Sequence, residues 1–331
     1  MSDRILVTAL KRTFVLAFLI VAAQLCSGQA AAPKSAPVGR DKQKLLWNQM
    51  EKNIQRIVGE LDGFAGVAIV DLTSGEKFFI NADEVFPQAS LIKLPMLVEL
   101  YRQEEQAQKG ASGKARLTDL YTVRKEDMVP DSDVMLGLTP GVTRVTNRDL
   151  ATMAASVSDN AATNVLIDRV GMENVNAMLD GLGLSRTRLR RKMMDLKAAQ
   201  EGRENISTPR EMVTLLEIVW QNKLFSQALR DDLVKVLSSY HTHYTTFFHG
   251  AVPAEVMVAE KEGELEAVRT DAGIVFAQNR PFAIAVMTTF LDNEKDGEAA
   301  IGKIAGIAYR YFDRVGRASE YGRVISPRTS K

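Results

Sequence analysis

Ser90-Leu91-Ile92-Lys93 opens a run with helical apolar spacing, Leu91 to Gln106, and residues three apart on a helix share a face. The Ser90 hydroxyl and the Lys93 amine are therefore expected to meet. A serine hydroxyl is a poor nucleophile at neutral pH, whereas an amine held beside it in a partly desolvated pocket can shed its charge and take the proton. A helix N-terminus also favours the negative charge that develops. The plainer reading makes Ser90 a helix cap and Lys93 a solvated first-turn lysine. Under either reading Pro95 removes an amide from the second turn.

Two further stretches extend the pattern. Ser158-Asp159-Asn160 precedes a helical run, where all three residue types are good caps. Lys261-Glu262-Gly263 follows a β-rich stretch, Val256 to Glu260. Each is commonplace alone. Together and in this order, Ser-x-x-Lys, Ser-Asp-Asn and Lys-x-Gly resemble the penicillin-recognising serine enzymes, most closely the class A β-lactamases. The likeness extends to SVSDNAATNVLIDRVG, TPREMVTLLE and VAEKEGELEAVRTDAGIVF, and covers about residues 60 to 315.

The resemblance implies an acyl-enzyme on Ser90, with Lys93 moving the proton during acylation. It implies that Ser158 relays a proton to the leaving nitrogen with help from Lys261, and that Asn160 hydrogen-bonds the substrate's side-chain amide. The substrate would lie along Gly263 and Glu264, with an oxyanion hole from the amides of Ser90 and Glu264. Arg269 falls where relatives often hold a substrate carboxylate. The implied activity is hydrolysis of a cyclic amide, with β-lactam catabolism or antibiotic resistance as its setting.

Two positions depart from that pattern. In TRLRRKMMDLKAA, Met193 stands where a glutamate should activate the deacylating water, and Lys197 where an asparagine is usual. A thioether accepts no proton, so Asp195 is the nearest candidate base, with Glu201 and Glu204 beyond it. Glu262 replaces the hydroxyl that normally meets the substrate carboxylate, which points towards esters or amides lacking that group. The loop is also basic, at Arg186, Arg188, Arg190, Arg191 and Lys192, either as surface and internal pairing or as a site for an anionic group. A related esterase, amidase or peptidase, or a protein that binds β-lactams or cell-wall peptides without turnover, stays open beside the hydrolase.

Other chemistries fit poorly. A Ser-His-Asp triad needs a histidine near the nucleophile, yet His241, His243 and His249 share one short segment and no Gly-x-Ser-x-Gly occurs. The same segment is a weak case for zinc, so neither metal nor cofactor is expected. Cys26 is the single cysteine and falls in the leader described below, which leaves no disulfide or thiolate chemistry.

The elements that must position these residues read as α+β. Leu45 to Leu61 has helical spacing, and Gly66 to Leu72 with Lys77 to Ile80 reads as a hairpin. The stretch from about Ser90 to Leu237 is mainly helical, with helices at Asn147 to Ser156, Asn160 to Val170, Met172 to Leu182 and Pro209 to Trp220. Strands return at Glu255 to Glu260, Ala267 to Ala277 and Pro281 to Phe290, before a last helix from Glu294 to Val315. The N- and C-terminal strands are expected to form one antiparallel sheet flanked by helices, with an all-helical subdomain inserted at about 90–237.

The 331 residues carry a formal net charge of +1 at pH 7, so nothing calls for nucleic acid, and a small-molecule substrate is the better partner. Arg4, Lys11 and Arg12 precede an apolar run from Phe14 to Leu25, with small residues after it. This is the layout of a signal peptide over residues 1–32. An exported protein, periplasmic or secreted, is expected, without a stable membrane anchor once cleaved. A flexible lead-in at 33–42 and one hydrolase domain at 43–331 would follow, as a monomer.

Overall fold

The computed structural model describes residues 40–239 and 246–325; the expected leader, His241 and His243 lie outside them. Helix α1 spans Arg40–Glu60, so the lead-in gives way to helix before residue 42. Strands β1 (Phe64–Asp71) and β2 (Lys77–Ile80) form the expected hairpin, and the short β3 (Phe86–Pro87) follows. Helix α2 spans Lys93–Gln108. A ribbon of β4 (Leu120–Thr122) and β5 (Arg144–Thr146) leads to α3 (Asn147–Ser156), α4 (Asn160–Val170) and α5 (Met172–Gly181).

The chain then runs irregularly through the one-turn α6 (Leu196–Gln200) and β6 (Ile206–Ser207) into α7 (Pro209–Trp220) and α8 (Gln227–Leu237). Strands β7 (Val258–Leu265), β8 (Val268–Val275) and β9 (Phe282–Thr289) complete the sheet, and α9 (Glu294–Gly316) closes the fold.

The sheet is antiparallel, in the order β2-β1-β9-β8-β7. Alternation along its strands sends successive side chains to opposite faces, and both faces are buried. Val67, Ile69, Ile284 and Val286 pack against Trp47, Met50 and Ile54 of α1 and Ile301, Ile304 and Phe312 of α9. With Ala308 between them, the α9 residues recur at three- and four-residue spacing, one apolar stripe on a helix. Ala68, Val70, Ala283, Ala285 and Met287 face the other way, onto Met212, Leu215 and Leu216 of α7 and the helices between β2 and β7. The result is α+β: a sheet assembled from both ends of the chain, with helices inserted between.

The third motif departs locally from expectation. β7 continues through Lys261, Glu262 and Gly263 rather than ending before them, because β8 supplies a partner for every residue out to Leu265. As the outermost strand, β7 has β8 on one edge only.

Candidate active site

Ser90 does not begin an α-helix. It sits in a single 3-10 turn, Ala89–Ile92, that runs directly into α2. This places Pro95 third in α2, where its missing amide is one that no helical carbonyl would have bonded. Ala89 before it has φ of 48°, a left-handed conformation a β-carbon resists. The turn is tied down at Gln88, whose amide donates to Asn205 O at 2.8 Å and whose carbonyl accepts from the Leu91 amide at 2.9 Å and Thr270 Oγ1 at 3.2 Å.

The second motif is built as tightly. Ser158 has φ of 55°. Asp159 caps α4 through the Ala162 amide at 2.9 Å, while its other oxygen accepts from the amides of Val134 and Met135 at 3.0 and 2.9 Å. The cap thus welds α4 to the 130–135 segment and turns Ser158 inward.

Lys93 joins the first motif to the second. Its ammonium is fully buried and donates to Ser158 Oγ at 2.9 Å, to Asn160 Oδ1 at 2.9 Å and to the Ser158 carbonyl. Burial first, and then the charge of Lys261, hold its pKa well below the ordinary lysine value. Among the described residues the Ser90 hydroxyl makes no hydrogen bond, so the direct Ser90–Lys93 pairing read from helical spacing is replaced by bonds from Lys93 to the second motif.

The third motif closes in from β7. Gly263 passes so near the nucleophile turn that a β-carbon there would lie 2.7 Å from Gln88 O and 2.9 Å from the Leu91 nitrogen. Only glycine lets the strand approach this closely. Lys261, also fully buried, donates to Glu262 Oε1 at 2.7 Å and to the Glu262 carbonyl at 3.0 Å.

Behind β7, Glu260 and Asp271 are interacting buried carboxyls, and Glu260 Oε2 and Asp271 Oδ1 have no hydrogen-bond partner among the described residues. Burial pushes Glu260 up to about 7 and Asp271 well above the usual carboxylate range. Glu260 Oε1 also accepts from Thr246 Oγ1 and from the His249 amide, and Asp271 Oδ2 from the Phe248 amide.

Ser90, Ser158, Asn160, Glu262, Gly263 and Glu264 line one cleft of about 420 Å³, together with Met193, a size suited to a small organic ligand. Met193 is 7% exposed. Its amide donates to Asn164 Oδ1 at 2.8 Å, and its carbonyl accepts from Asn164 Nδ2 at 3.0 Å. Asn205 holds the neighbouring turn, accepting from the amides of Arg190 and Arg191 at 2.7 and 3.1 Å. The basic loop is largely paired within the fold: Arg188 with Asp180, Arg191 with Glu204 and Lys192 with Asp168.

Two sequence candidates fall elsewhere. Asp195 is exposed, is not among the cleft-lining residues, and caps α6 through the Ala198 amide at 3.0 Å. Arg269 points to the opposite face of β8, onto Glu298 of α9 at 2.9 Å and the carbonyls of Leu265 and Val268. Strand parity instead brings Thr270 to the nucleophile side. Sequence reading passed over Asn164, although its place one turn after Asn160 put it on the same helical face. It also passed over Asp131 and Asp133, which line the cleft from an irregular segment with no periodic signal.

The sheet built from both termini and the cleft joined by three motifs define the β-lactamase and penicillin-binding class of fold. Residues 49–312 match the Beta-lactamase enzyme family, and the chain belongs to that family. It is 26% identical over 273 residues to Beta-lactamase SME-1 of Serratia marcescens, covering 79% of this chain and 88% of that protein. A β-lactamase structure from Sphaerobacter thermophilus superposes with a TM-score of 0.69 at 30% identity, covering 79% of this chain and 96% of that one. A mutant of PBP-A, solved as an acyl-enzyme complex with penicillin G, gives a TM-score of 0.70 at 26% identity, covering 80% and 97% of the two chains.

Proposed function

We propose that this protein is an exported serine hydrolase, periplasmic or secreted and monomeric, that opens β-lactams or related cyclic amides and esters through an acyl-enzyme on Ser90. The observation that carries the reading is the buried Lys93, hydrogen-bonded to Ser158 and Asn160 at the wall of the cleft that Ser90 lines. An amine with a lowered pKa is neutral often enough to act as a base. It takes the Ser90 proton as Oγ bonds to the substrate carbonyl carbon. Ser158 passes a proton to the leaving nitrogen as the carbon–nitrogen bond breaks. The negative carbonyl oxygen is received by the amides of Ser90 and Glu264. The resemblance to class A enzymes and the acyl-enzyme formed by the PBP-A mutant support the same sequence of steps.

Release is the slow step in this reading. Met193 lines the cleft where a water-activating carboxylate is expected, and Asp195 is occupied as a helix cap. This favours a second reading, a protein acylated by β-lactams and turned over poorly. A chromogenic cephalosporin under multi-turnover conditions, followed in parallel by intact mass, tests both. A transient adduct with continuous product release supports the hydrolase, a lasting adduct the second reading, and no adduct with either a cephalosporin or a penicillin defeats both.

A further inference from the structure

We propose that the cleft selects acyl donors carrying an ammonium group, and that Glu262 is the residue setting this preference; the inference rests on the reading of Ser90 as the acylated nucleophile. The first observation is that the buried ammonium of Lys261 is already answered by the protein itself. Glu262 Oε1 lies 2.7 Å from it, with the Glu262 carbonyl as a further acceptor. A cation at this depth would attract a substrate carboxylate if unpaired, but here an internal carboxylate occupies that role.

The second observation is what this leaves facing the cleft. The Glu262 side chain is 6% exposed and lines the cavity. Its Oε2 accepts no hydrogen bond among the described residues, so one oxygen of a nearly buried carboxylate is spare. An acceptor in that position is best satisfied by a cationic donor.

Third, the unpaired charges on the lining have the same sign. Asp131 and Asp133 line the cleft with no ion pair among the described residues, while the Glu264 side chain shares the face of its cross-strand partner Arg269. The cation on the lining, Arg191, is engaged with Glu204 at 2.8 Å. A cleft lined by one sign of charge concentrates the opposite sign and repels its own. Among acyl donors of equal reactivity, the ammonium-bearing one is therefore preferred and the carboxylate-bearing one disfavoured.

The test uses three p-nitrophenyl esters of matched chain length ending in ammonium, methyl or carboxylate. Acylation is read as the p-nitrophenolate burst, so slow release does not intervene. In the unmodified protein the ammonium ester is expected to acylate at least about tenfold faster than the neutral one and the carboxylate ester slower still, with the spread shrinking as salt is raised. In Glu262→Gln the order should collapse, the carboxylate ester gaining most.

Equal rates for the three esters, a faster carboxylate ester, or an unchanged order in Glu262→Gln would overturn the proposal. Equilibrium binding of the same unreacted esters to Ser90→Ala, read by NMR titration, reports the charge order without acylation. The same ranking is expected there and no ranking would count against the proposal. A missing burst with a retained binding order would thus indict the Ser90 reading and leave the charge preference standing.

Discussion

Nζ of Lys93 and Oγ of Ser158 lie 2.9 Å apart although 65 residues separate them in the chain. A proton leaving one hydroxyl and a proton arriving at a leaving group can thus pass through adjacent atoms. Lys93→Arg should abolish this exchange, since a guanidinium stays protonated. The expected loss in acylation rate is about 10²- to 10⁴-fold, read from the burst with a neutral ester. In the unmodified protein acylation should fall as pH drops through the depressed Lys93 pKa, because the protonated amine is no longer a base.

Ser90→Ala should eliminate covalent labelling by penicillin while leaving the melting temperature nearly unchanged, since Ser90 Oγ makes no hydrogen bond among the described residues. Intact mass after incubation decides the matter. A label that survives the substitution would remove Ser90 from the mechanism.

Met193→Glu should shorten the lifetime of the acyl adduct, by roughly 10²-fold or more if the new carboxylate meets the ester carbon's water. The adduct decay is followed by mass after excess penicillin is removed. No acceleration would mean that the side chain of residue 193 does not reach that water.

Glu260 carries the clearest pH signature of stability. Its carboxyl is raised from 4.5 to about 7 by burial, so the folded state holds a proton that the unfolded chain releases. That stabilisation is complete below the unfolded value near 4.5 and is lost as pH rises through about 7. Glu260→Gln removes the titrating proton and keeps a polar side chain of similar size beside Asp271. The melting temperature of the variant minus that of the unmodified protein should therefore increase between roughly pH 5 and 8; a flat difference would rule out the raised Glu260 pKa.

Gly263→Ala should damage the cleft more than the fold. The added carbon would press on Gln88 O and the Leu91 nitrogen, pushing β7 away from the nucleophile turn. A drop in acylation rate of at least about tenfold with a melting shift of only a few degrees is expected, read from the burst and from thermal unfolding.

Much of this architecture was legible in the residues. Helices α3, α4 and α7 begin and end where their apolar spacing and caps put them, because Thr146, Asp159 and Thr208 each cap through a side chain. Less legible was anything fixed by distant partners. β7 extends through Lys261 and Glu262 since β8 pairs with them, which a polar stretch does not announce. Ser90 lies in a 3-10 turn rather than on the α-helical face assumed for it, so three-residue spacing brought the right groups to one cleft for a partly wrong reason. Arg269 lay one residue from the inward position, and in a strand one residue is a change of face.

Asn164 grips residue 193 through the main chain alone, with one bond to the amide and one to the carbonyl. Those main-chain bonds do not depend on the side chain, which itself packs in the hydrophobic core. Exchanging methionine for glutamate there keeps the anchoring bonds while placing a charged group at a buried position, so under the proposed function one codon, and not the scaffold, sets how long the covalent adduct lasts.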